Sequence, residues 1–234
     1  MGAKWMGIAV MLWSVCMGAM SSVCAQQETP WEVAFDVQSD SSGVVIGPEL
    51  QAPIAAMETG DYLAAVLELR EIVRRDSTHI SALRLMASAY HHLDDYVQAI
   101  DACRRLVALD SADAHAEVAL GFYHQKLGDF EGAELQYRQA VMKDAGAILA
   151  YQGLGWIYLQ RGQFEKALDM VTETTERVPN YAPNYVLMGR VLTVQGFFED
   201  AAVAYNRAFA LQADLRDRYG ILLQELGLRH RLNR

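Results

Sequence analysis

The 234-residue chain is 52% hydrophobic, contains five prolines and carries a net charge of −9. This apolar content suffices for a continuous core, and an acid excess of this size excludes nucleic-acid binding through a basic surface. Of its three cysteines, Cys16 and Cys24 lie in the first 25 residues, so Cys103 stands alone in the remainder and cannot form an internal disulfide there.

Lys4 precedes an uncharged stretch, Gly7 to Ala19 is largely apolar, and Val23-Cys24-Ala25 offers the small residues of a cleavage site. Residues 1–25 therefore read as a signal peptide, with Gln26 starting an exported chain, periplasmic or secreted. An uncleaved anchor facing away from the cytoplasm is the alternative. In residues 26–45, Trp31, Val33, Phe35 and Val37 alternate with Glu32, Ala34, Asp36 and Gln38. Alternation of period two predicts a strand. In this leader it can pack along the following domain, add to a partner's sheet, or order only on binding. Ser39 to Gly43 is the hinge behind it.

From residue 46 onward one spacing governs the chain. A Gly or Asp, an aromatic two residues later and an Ala three after that recur every 34 residues: Gly60, Tyr62, Ala65; Asp94, Tyr96, Ala99; Gly128, Phe130, Ala133; Gly162, Phe164, Ala167; Gly196, Phe198, Ala201. A strict repeat of this length means a solenoid. The units are 46–79, 80–113, 114–147, 148–181 and 182–215. Both halves of each keep apolar residues three, four and seven apart, with the Gly where one helix must stop, so each is a pair of helices joined by a tight turn. Such a hairpin cannot bury its own apolar face and depends on its neighbours. In the first unit Pro48 and Pro53 predict a short or irregular first helix. Residues 216–234 read as a capping helix, with Tyr219, Leu222 and Leu226 inward, followed after Gly227 by a basic tail.

With Tyr151, Leu154, Gly155, Tyr158, Ala167 and Pro179 in one unit, and the small residues Ala87, Gly121, Gly155 and Gly189 where paired helices approach, the chain resembles the tetratricopeptide repeat family. The resemblance implies an all-α fold: a right-handed α-solenoid of five helix-turn-helix repeats with a C-terminal capping helix. It also implies that the first helices line a concave groove, while the second helices, rich in Glu131, Glu134, Glu165, Asp169 and Asp200, face the convex side.

No glycine-rich phosphate loop, paired-histidine metal spacing or nucleophile elbow occurs in the sequence, and no catalytic residue, cofactor or metal site is assigned. His91 and His92 are adjacent, so they diverge on a helix and have no third ligand three or four residues away. Cys103 occupies an inward place, which makes it a packing thiol. The groove places implied by the resemblance hold Arg84, Lys126 and Arg190 with His91, His92 and His115, and apolar residues including Ile54, Met57, Phe122, Leu149, Trp156, Leu159 and Val194. The Asn by which family members grip a chaperone's carboxyl terminus is replaced by Ser88, Phe122, Trp156 and Arg190, so that clamp is absent. The candidate partner-binding residues are Arg84, His91, Phe122, Lys126, Trp156, Leu159 and Arg190. They suit a non-enzymatic scaffold of the cell envelope that binds a protein segment bearing apolar and acidic residues. The alternative is a small apolar or anionic ligand held between Phe122 and Trp156, with Arg84 or Arg190 as its anion partner.

Overall fold

The structure, a computed structural model, describes residues 47–217, 219 and 220. The expected signal segment, the leader with its expected strand, and the chain beyond residue 220 lie outside these. A 3-10 turn, Pro48–Leu50, leads into ten helices: α1 (Gln51–Glu58), α2 (Tyr62–Arg75), α3 (Ile80–His92), α4 (Tyr96–Leu109), α5 (Ala114–Lys126), α6 (Phe130–Lys143), α7 (Ile148–Gln160), α8 (Phe164–Arg177), α9 (Ala182–Gln195) and α10 (Phe198–Leu211). Each helix packs on the next along the chain, giving an all-α solenoid of helical hairpins. The segment after α10 is helical again at Leu215, and its Tyr219 ring stacks on Tyr205 with centroids 6.5 Å apart.

The turns explain why the hairpins close. Gly60, Gly128, Gly162 and Gly196 all have positive φ, near +69° to +84°, which lets the chain reverse in a left-handed conformation. Asp94 fills this place in the second unit with φ +56°, a conformation Asp tolerates better than most side chains. The residue after it then starts the second helix. Asp61, Asp95 and Asp129 accept hydrogen bonds from the backbone N–H groups of Ala64, Gln98 and Gly132, at 3.0, 3.2 and 2.9 Å. Gln163 and Phe197, in the same place before α8 and α10, provide no side-chain cap. Pro48 and Pro53 have the predicted effect: α1 has 8 residues against 13 for α3, and its first turn is 3-10.

The two kinds of helix are buried differently. Second helices bury one stripe, such as Ala65, Val66, Leu69 and Val73 of α2. First helices are covered nearly all round, with Ala116 to Tyr123 buried without interruption in α5. That coverage comes from both sides, because α7 packs on α8 of its own hairpin and also on α5, α6 and α9.

At the seams the match is steric. A Cβ on Gly121 would stand 2.7 Å from the Tyr137 ring and one on Gly153 only 2.3 Å from the same ring, so Tyr137 is wedged between a glycine of its own hairpin and one of the next. Close approach is expected from the sequence at Ala87, Gly121, Gly155 and Gly189; Gly153 is an addition, found where other units hold Gln51, Leu85, Ala119 and Leu187. Where the place of Tyr137 is taken by the shorter Val171, Leu187 fills the space, and a Cβ on Gly155 would meet its Cδ2 at 2.9 Å. The buried Cys103 occupies this place in the second unit, and burial pushes its thiol pKa up, consistent with packing rather than reactivity.

These contacts predict an asymmetry between two glycines in one helix. Gly153→Ala presses a methyl into a buried ring held by its hydroxyl bond to Gln125, 3.1 Å away, and should cost about 1–3 kcal/mol. Gly155→Ala meets only the tip of a leucine and should be near neutral, since the gain in helix propensity is about 1 kcal/mol. Thermal unfolding followed by circular dichroism distinguishes them. Equal midpoints would mean that Tyr137 is not a wedge.

Candidate functional site

The candidate residues fall on first helices in four units: Arg84 and His91 on α3, Phe122 and Lys126 on α5, Trp156 and Leu159 on α7, and Arg190 on α9. The fold brings five of them together as two clusters. In the first, the His91 ring lies 5.6 Å from Phe122 and the Lys126 ammonium 5.2 Å from the centre of the same Phe122 ring. In the second, the Arg190 guanidinium lies 4.1 Å over the Trp156 indole, a cation–π geometry. Phe122 and Leu159 are 8% exposed and Arg190 only 3%, so these three contribute mostly to packing. Trp156 is half-buried and Lys126 exposed.

Arg84 has a structural partner. Its Nη2 donates to Asp113 Oδ2 at 2.9 Å, while Asp113 Oδ1 accepts from the backbone N–H groups of His115 and Ala116 at 2.9 and 3.1 Å. Asp113 thus caps α5 and ties it to α3 across the seam. A second polar tie, Gln152 Nε2 to Asn184 Oδ1 at 3.0 Å, joins α7 to α9. Within the third unit, the buried carboxylate of Glu117 receives Lys143 at 2.5 Å.

These ties change the electrostatics expected of the groove. Arg84 is paired with Asp113, Arg190 is covered by indole, and His91 is neutral near pH 7. Burial first, then the nearby His92 and Lys126 charges, lowers the His91 pKa to about 4 against the opposing pull of Asp94. Of the candidate cations, Lys126 is the exposed one. The apolar places divide likewise: Val118 and Val186 are buried, while Ile54, Met57, Leu149 and Trp156 are half-buried and Val194 exposed. The acidic residues expected on the second helices, Glu131, Glu165, Asp169 and Asp200, are exposed, as are Glu68, Asp101 and Glu199. Glu134 is different: it is mostly buried and pairs with Arg138 of its own helix and Arg161 of the next hairpin.

Sequence reasoning missed a second concavity on the outer side. Leu63, Val66, Leu67, Arg70, Val73 and Arg74 of α2, with residues of α3 and α4, line a groove of about 690 Å³. The signal was present in the sequence: Leu63 and Val97 stand where the later units have Glu131, Glu165 and Glu199.

The His91 environment has a measurable consequence. Because its folded pKa lies below the ordinary value of 6.5, the unfolded chain binds a proton that the folded chain refuses. His91 therefore lowers stability as pH falls from about 6.5 to about 4 and has no effect above that window. His91→Phe should flatten the stability–pH curve there in urea unfolding at pH 7, 5.5 and 4. An unchanged slope would place the titration elsewhere.

Two tetratricopeptide-repeat family models match the chain, over residues 54–114 and 125–190. No curated protein matches it in sequence. Among solved structures, MamA residues 41 to the end from Desulfovibrio magneticus RS-1 is 18% identical, with 73% of this chain and 98% of that chain covered and a TM-score of 0.62. PilW, described as a widely conserved type IV pilus biogenesis factor, is 18% identical, with 79% and 91% covered and a TM-score of 0.63. The APC/C heterotetramer Cut9–Hcn1 matches with 15% identity, 78% and 36% covered and a TM-score of 0.67. At these identities the structures establish the fold alone. With both family models falling on the stacked hairpins, the chain belongs to the tetratricopeptide repeat family.

Proposed function

We propose that this protein is an exported, non-enzymatic scaffold of the cell envelope, whose concave face binds a protein segment bearing apolar and acidic residues. The observation that carries the reading is the recurrence of cation on aromatic at successive units: Lys126 at the Phe122 ring and Arg190 over Trp156. Ile54, Met57 and Leu149, also at groove places, are half-buried, and Lys126 supplies an exposed charge to steer a carboxylate. Membership of heterotetramers is known for this fold in Cut9–Hcn1. A small anionic ligand at Arg190 would have to displace the indole that covers it, and at Arg84 would compete with Asp113, so a protein segment is the preferred occupant. Export rests on Lys4 and the uncharged run to Ala25; among the described residues no helix is long and apolar enough to cross a membrane.

Binding to the partner recovered from envelope extracts tests the groove. Lys126→Glu should lower the association rate several-fold and blunt its salt dependence while leaving the fold intact. Trp156→Ala should raise the dissociation rate, and should also cost about 1–3 kcal/mol of stability, because Arg190 loses its cover. Trp156→Phe separates the two effects by keeping a ring under the guanidinium. If the double change Glu131→Lys with Asp169→Lys weakens binding more than Lys126→Glu does, recognition lies on the outer face instead.

Export has its own test. N-terminal sequencing of protein recovered from outside the cytoplasm should begin at Gln26. Recovery of the full chain in the cytoplasm alone would overturn the localisation.

A further inference from the structure

The outer groove between α2 and α4 carries its charges in order along its length. Beside the turns that start the second helices, Leu63 and Leu93 accompany Asp95; further along come Leu67 and Asp101, which hold corresponding places in the two units; and the far end is lined by Arg70, Arg74 and Arg105. The floor is apolar, made by the buried Val66, Val73, Met86 and Tyr90. Leu63 and Leu67 are 62% and 60% exposed. Arg74 pairs with Glu71 and Arg105 donates to the Ser77 carbonyl, whereas Arg70 and Asp101 have no ion-pair partner among the described residues. An occupant that suits this groove brings a cation to the turn end, a carboxylate to the far end and apolar side chains between and beyond them.

One helix of the same solenoid has that pattern. The outer row of α6 reads Glu131, Leu135, Arg138 and Met142; all four are exposed, Leu135 by 55% and Met142 by 86%, the highest value among the large apolar residues described. Laid antiparallel in the groove of another copy, Glu131 comes to Arg74 and Arg105, Leu135 to the Val66–Val73 floor, Arg138 to Asp101, and Met142 to Leu63 and Leu93. The lengths agree, because Leu63 to Arg74 and Glu131 to Met142 span the same number of residues, about 16 Å at 1.5 Å per residue. Arg138 holds Glu134 and the Tyr158 hydroxyl through Nη2 alone, and its side chain is 58% exposed, so its remaining donors are available to Asp101. The other second helices do not match in the same row: α8 has Glu165, Asp169 and Glu176 with no apolar side chain, α10 has no cation, α2 has no carboxylate, and α4 has Ala108 in the place of Met142.

We propose that a second copy of this chain fills the outer groove, its α6 lying antiparallel between α2 and α4 with the carboxylate of Glu131 at the basic end and Met142 at the apolar end. Groove and ridge are different surfaces, so the contact is heterologous: one copy contributes the groove and the other the ridge. Because both lie on the outer side, the concave face of each copy stays open to a partner.

Analytical ultracentrifugation of the chain as recovered from the cells that make it, with no partner present, tests this. Self-association should appear with a Kd of about 10–100 μM, as suits a small interface, and weaken several-fold as salt is raised. Leu67→Glu in the groove and Met142→Glu on the ridge should each weaken it at least tenfold; both side chains are exposed, so neither change disturbs the core. An equal mixture of the two variants should regain the association, because the Met142→Glu copy keeps an intact groove and the Leu67→Glu copy an intact ridge. Regain also shows that both variants are folded. Each of four results would overturn the proposal: a chain that stays monomeric, which leaves the groove to some other occupant; association that neither variant weakens, which places the contact elsewhere; loss with Leu67→Glu but not Met142→Glu, which gives the groove to a different element; or loss with both that mixing does not restore, which makes the contact self-complementary. None of these results involves Lys126 or a bound partner, so this proposal and the concave-face reading fail independently.

Discussion

The first helix of each hairpin cannot be covered by its own second helix, and the rest of the structure follows from that. In α5 and α7 nine of thirteen residues are buried, which demands neighbours on both flanks, and the 34-residue period supplies them each time. A helix buried on all sides has no room for compensating adjustment. Space at each seam must therefore be settled residue by residue: a tyrosine against two glycines at one junction, a valine with an incoming leucine at the next. The same requirement confines polar groups in the inner layer to pairs, as in Arg84 with Asp113 and Gln152 with Asn184.

This close packing limits how much of the inner face is available for recognition. Side chains at groove places are divided between packing and surface, and Phe122, Leu159 and Arg190 are almost wholly given to packing. What remains accessible is a set of edges, such as the half-buried Trp156 and the Lys126 ammonium, rather than a broad apolar trough. Recognition by edges favours an extended segment that touches several units lightly over a compact ligand enclosed by one.

Much of the fold was legible in the sequence because the features that set it are local. The glycine of each turn, the aromatic two residues on and the alanine after it fix helix ends and the inner stripe, and the left-handed φ values at Gly60, Gly128, Gly162 and Gly196 correspond to those positions. Pro48 and Pro53 announced the short first helix for the same reason. The candidate site was less legible, since its properties arise between residues far apart in sequence. Nothing near Arg84 indicates that Asp113 will neutralise it, and His91 becomes a poor base chiefly through its burial. The outer groove was available to a comparison of the units with one another. Leu63 against Glu131 at the same place is a contrast that the overall acidity of the chain conceals.

The seam between the third and fourth units implies that these repeats are not interchangeable parts. Tyr137 needs glycine on both sides, and the place of Gly153 holds glutamine, leucine or alanine elsewhere. Moving the third unit next to any other would drive its ring into a side chain. Duplicating, deleting or shuffling one repeat, the ordinary way in which solenoids change length, would thus require a compensating substitution in the adjoining hairpin. The order of units in this chain is fixed by the shapes of its junctions, although every unit shares one backbone plan.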